Sequence, residues 1–155
     1  MLLRNSVAAC TLALAASSAC RADNSPAFEC PVTVPNGQTF AGEPPGGNHG
    51  NESLVVGLWP RGIVAFIPNG PGQRLQDGSF VMKFWWWRRV NGTLTIEGRR
   101  LDAPAAPLRG IVPEGYGPRG FQASGIAFPT PGCWEVTGRV GSGALTFVTR
   151  VEVRD

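Results

Sequence analysis

A chain of 155 residues carrying 21 glycines and 14 prolines is long enough for one domain with a sizeable core and short for two. Its formal charge of +3 falls to +1 once Arg4 and Arg21 of the first 22 residues are set aside, which excludes the strongly basic surface of a nucleic-acid binder. Apolar residues make up 43% of the chain, and that content argues against the disorder such Gly and Pro levels would otherwise suggest.

In chain order, Arg4 precedes an apolar, small-residue stretch from Val7 to Ala16 that closes on Ser17, Ser18 and Ala19. A charged start, a short apolar stretch and a small-residue end are the parts of a secretory signal. The stretch is shorter than the roughly 18 apolar residues of a membrane span. Residues 1–22 are therefore read as a signal peptide, cleaved either before Cys20, which would then be lipidated as in a lipoprotein, or after Ala22. Either route removes Cys10 and takes Cys20 out of the pairing pool. Cys30 and Cys133 are left to form one disulfide in an oxidising compartment. The expected location is the periplasm, the exterior or the envelope surface, with membrane contact only through an N-terminal lipid.

Residues 23–51 read as an irregular, Pro/Gly-rich arm and residues 52–155 as the folded domain. Within the domain, Leu54–Trp59 and Ile63–Ile67 flank Pro60-Arg61-Gly62, the pattern of a hairpin. Asp77-Gly78 turns the chain into Phe80–Arg89, and Asn91-Gly92 leads on to Thr93–Glu97, a second hairpin signal. From Gly98 to Gly120 the pattern is lost, as in a functional loop or an extended crossover between sheets. Phe121–Phe128, Cys133–Val140 and Ala144–Val153 then read as three consecutive strands. No segment keeps a helical period, so the expected fold is an all-β, immunoglobulin-like antiparallel sandwich. Alternation places Trp134, Val136 and Val140 in the core and Cys133 on the outer face. The disulfide should thus pin the arm to the outside or the edge of a sheet.

The stretches Gly78–Asp102 (GSFVMKFWWWRRVNGTLTIEGRRLD) and Phe128–Val151 (FPTPGCWEVTGRVGSGALTFVTRV) resemble a group of uncharacterised bacterial secreted proteins and lipoproteins. The resemblance implies export and a β-sandwich, and carries no functional residues with it.

The most unusual feature is Lys83-Phe84-Trp85-Trp86-Trp87-Arg88-Arg89. In a strand, Phe80, Met82, Phe84 and Trp86 share one face, and Lys83, Trp85, Trp87 and Arg89 the other. The first is a core face. The second is an indole ladder bracketed by cations, suited to stacking on sugar rings or aromatic ligands, or else to packing beneath other parts of the chain. Arg99, Arg100 and Tyr116 of the long loop are candidate helpers.

Catalysis has less support. The one histidine, His49, sits in a Gly-rich stretch that reads as a solvated loop, and with Glu43 or Glu52 it lacks the ligand number and spacing of a metal site. Glu97, Asp102 and Glu114 could supply a hydrolytic carboxylate pair only if two of them converge. No cofactor is called for. The expected function is a non-catalytic envelope or extracellular binding module, its partner a glycan or another envelope ligand. The alternatives are a structural or protein-interaction domain and, behind both, a small hydrolase.

Overall fold

The computed structural model describes residues 28–40 and 47–155. Residues 1–22, expected to be a signal peptide with two alternative cleavage sites, and Cys20 and Glu43 with them, lie outside the described residues. Those that are described contain no α-helix. They form strands β1 (Asn48–Gly50), β2 (Leu54–Gly57), β3 (Ile63–Phe66), β4 (Gln73–Arg74), β5 (Phe80–Arg88), β6 (Thr95–Arg100), β7 (Arg109–Ile111), β8 (Gly120–Phe128), β9 (Gly132–Val140) and β10 (Gly143–Val153). One sheet runs β1-β2-β5-β8-β7, with β4 also on β5, and the other runs β3-β10-β9-β6. Every pairing is antiparallel except that of β3 with β10.

The two sheets share one core. Met82, Phe84, Trp86, Ile126 and Phe128 of the first are buried with Trp134, Val136, Leu145, Phe147 and Val151 of the second. The Phe147 ring lies 5.7 Å from Phe84 and 6.0 Å from Trp86, and Phe128 lies 5.8 Å from Trp134. This face-to-face packing of alternating apolar residues is sandwich-like. Trp86 lies against β9 at Gly138, where an added Cβ would come within 2.5 Å of its ring. Its Nε1 donates to Ser124 Oγ at 3.0 Å, so the polar atom of the largest core side chain is satisfied.

Both expected early hairpins are instead crossovers. Pro60-Arg61-Gly62 carries the chain from β2 in one sheet to β3 in the other, and Asn91-Gly92 carries it from β5 to β6. The reason is edge occupancy. β2 is held by β1 and β5, and β5 by β8 on one edge and by β2 and β4 on the other. A turn dipeptide reverses the chain, but the strand that follows needs a free edge.

Two further stretches are more regular than the sequence suggests. Residues 48–50, read as part of the irregular arm, form β1 on the edge of the six-stranded sheet. The patternless stretch 98–120 contains the end of β6 and all of β7, with Leu108 buried between them. It does act as a crossover, since β6 and β7 belong to different sheets.

Cys30 and Cys133 are joined, 103 residues apart. Cys133 alternates with the core-facing Trp134, yet it is only 2% exposed. Beyond the bond, the arm runs alongside β10: the Thr33 N–H donates to the Val148 carbonyl at 2.9 Å, and the Val148 N–H donates to the Thr33 hydroxyl at 2.8 Å. The outer face of the six-stranded sheet is thereby left to the residues that follow.

Candidate functional site

That outer face is shaped by a mismatch of side-chain size across one strand pair. On β5 it carries Val81, Lys83, Trp85 and Trp87. On β8 the residues opposite are Ala127, Gly125, Ala123 and Phe121. Large residues beside small ones leave a trough above β8, and its floor is Ala123 and Gly125.

Two walls rise from places where neighbouring strands stop short. β2 pairs with β5 only at residues 86–88 and β4 only at 80–81. In the interval between them, Trp59 donates its indole N–H to the Lys83 carbonyl at 3.2 Å. On the other side β7 ends at Ile111, and Pro113 continues the wall, held by Gln122 Nε2 donating to its carbonyl at 3.0 Å. The groove so formed, lined also by Phe121, has a volume of about 600 Å³, within the range of small-molecule sites. A second hollow of about 350 Å³, bounded by Phe40, Trp85, Trp87 and Phe121, continues it along the strands.

The two indoles of the expected ladder have different fates. Trp85 leans over β2 at Gly57, where a Cβ would come within 2.2 Å of the indole; only glycine gives the ring this seat. From there Trp85 contributes to both hollows. Trp87 is covered by the arm, because Phe40 stacks on it at 4.4 Å and 13° and meets Trp85 edge-on at 5.4 Å. The ladder is thus partly roofed by a residue that the sequence placed in a featureless arm.

The remaining candidates separate. Lys83 lines the groove. Arg89 ties down the arm: its guanidinium donates to Gln38 Oε1 at 2.9 Å, to the Asn51 carbonyl at 2.7 Å and to the Thr39 carbonyl. Arg99 and Arg100 are on β6 in the opposite sheet, donating to Glu135 at 2.9 Å and to Asp102 at 2.6 Å. Tyr116 lies near the groove, 5.8 Å from the Phe121 ring.

Among the described residues, none of those weighed for catalysis lines the groove. His49 is on β1, its pKa lowered chiefly by burial and opposed by a hydrogen bond to the Val34 backbone. Glu97 accepts from Arg139 at 2.8 Å on the outer face of the four-stranded sheet. Asp102 is held below the usual carboxylate range by its hydrogen bond from Arg100. Glu114 is exposed in the connection from β7 to β8.

Lys83 is the one charged side chain in the groove lining and the one lysine in the sequence. Among the described residues its ammonium makes no ion pair. The rest of the lining is aromatic, aliphatic or backbone. Such a surface can cover an apolar body but has few partners for hydroxyls, each of which costs about 1–3 kcal/mol when buried unpaired.

Trp59, Phe40, Phe121, Ala123 and Gly125 were not singled out from the sequence. Their signal is present, in the small residues at every second position of β8, but it becomes a groove only through the register with β5.

No protein-family model matches this chain, and neither a curated protein nor a solved structure matches it.

Proposed function

We propose that the protein is an exported, non-catalytic binding module of the envelope or the exterior, built on an immunoglobulin-like sandwich, which receives a ligand in the groove between Trp59, Trp85 and Phe121. The groove itself carries this reading. Partly exposed aromatic and aliphatic side chains converge there, including Ile111 at 42% and Phe121 at 47% exposure, and apolar surface left open in this way marks an interaction site. The disulfide supports export. The expected glycan fits less well, because the lining offers one side-chain cation and few acceptors.

The test is binding of a neutral apolar dye, Nile red, to the protein and to an Ala123→Trp variant that fills the floor. Dye bound by the parent and lost in the variant supports the groove. Equal dye binding by both, or a cell-wall polysaccharide bound through Trp85 with no dye bound, overturns it.

A second reading, a protein-interaction domain, draws on β7. This three-residue strand is exposed along its length and forms the open edge of the six-stranded sheet, the kind of edge to which a partner strand can add.

A further inference from the structure

Resting on that reading of the groove, we infer that its ligand is a monomeric anionic amphiphile, an extended hydrocarbon chain ending in a single carboxylate, with the head at Lys83 and the tail directed toward Phe40.

Shape is the first argument. The two hollows share Trp85 and Phe121 and together follow β5 from Val81 to Trp87. Six residue steps of a strand span about 20 Å at roughly 3.3 Å each. An apolar trough that runs along the strand direction matches an extended chain better than a compact ring system.

Charge is the second argument. The groove holds one cation and no carboxylate, and that cation stands in register with Gly125, one pair in from Val81 and Ala127 on this face. Val81 and Ile111 close over Gly125, where a Cβ would stand 3.2 Å from Val81 Cγ1 and 3.6 Å from Ile111 Cβ, so the head group stands at the rim beside the ammonium, which supplies charge-assisted hydrogen bonds to an anion. Beyond Lys83, the lining toward Trp85, Ala123, Phe121 and Phe40 is apolar, as a tail requires. The neighbouring arginines do not compete for the head. Arg89 is occupied with the arm, and Arg109 pairs with Asp77 at 2.7 Å.

Because Lys83 is the sole lysine, reductive methylation with an isotope label places an NMR reporter on this ammonium and otherwise only on the chain's α-amino group. The experiment titrates labelled protein with dodecanoate below its micelle concentration, and in parallel with dodecanol and dodecylammonium. The expected result is a shift of the Lys83 methyl signals and an affinity for dodecanoate about threefold above that for dodecanol, the size of one exposed ion pair. Lys83→Met should erase the preference and Lys83→Arg should keep it. Equal binding of all three probes, unchanged in Lys83→Met, overturns the anionic head while leaving the groove reading intact. Binding of none of them, or of Nile red, overturns both. Binding only to vesicles of phosphatidylglycerol and phosphatidylcholine, with no monomer bound, overturns the monomeric ligand in favour of a surface that lies on membranes.

Discussion

The outer faces of the two sheets are built on one core and look nothing alike. On the four-stranded sheet, Arg139 pairs with Glu97, Arg99 with Glu135, and the Thr137 and Thr146 hydroxyls with each other, so that this face is a lattice of polar pairs in water. On the six-stranded sheet the corresponding positions hold Val81, Trp85, Trp87, Ala123 and Gly125. The arm is bonded to the four-stranded sheet at Cys133 and covers part of the six-stranded one with Phe40. The polar face thus serves as an anchorage for the arm, and the apolar face as the surface the arm partly shelters and partly leaves open.

The largest effect expected from breaking this arrangement is loss of the disulfide. A Cys30→Ala, Cys133→Ala variant should lose about 4.7 kcal/mol of stability, the loop-entropy value for a closure of about a hundred residues, read as a lower urea midpoint. Next comes the seat of Trp85. Gly57→Val drives a side chain into the indole and should cost about 1–3 kcal/mol as overpacking does, with a change in tryptophan emission as Trp85 is displaced. Arg89→Met removes three hydrogen bonds to the arm and should cost about 1.5 kcal/mol, with faster amide exchange near Gln38 and Thr39 while β9 and β10 stay protected. On the polar face, Glu97→Gln should cost less than about 1 kcal/mol, as exposed ion pairs do; a larger loss would mean that this face is more than a solvated surface.

The smallest effect concerns pH. His49 has its pKa lowered by burial, so the unfolded chain takes up its proton first. Stability should fall as pH drops below about 6.5, the unperturbed histidine value, down through the lowered folded value. His49→Asn should flatten that slope in urea melts at successive pH values.

Much of the strand content could be read from residue order because it depends on local alternation. Met82, Phe84 and Trp86 do face the core with Phe80 packed at its margin, as do Trp134 and Val136. The Cys30–Cys133 pairing followed from the two cysteines that remain when residues 1–22 are set aside as the expected signal peptide. What local pattern could not supply was which strands become neighbours. Asn91-Gly92 has the chemistry of a hairpin turn and performs a crossover, because the edges of β5 are taken by segments far away in the chain. The groove was illegible for the same reason. Trp59, Phe121 and Pro113 come from three separate stretches, and the roof over Trp87 comes from a fourth. Lys83 and Trp85 were legible as an outward pair; their separation in role from Trp87 and Arg89 depends on where the arm lies.

β10 lies between β9, with which it forms a tight local hairpin, and β3, whose Val64 is in register with Val151. The four-stranded sheet therefore has no centre until β10 has been made, and β3 has no partner strand before then. Closing that parallel pair means ordering a long intervening segment first, a slow step set by chain entropy. A chain lacking β10 should remain open and bindable by chaperones. Until β10 is synthesised the polypeptide therefore lacks its second sheet.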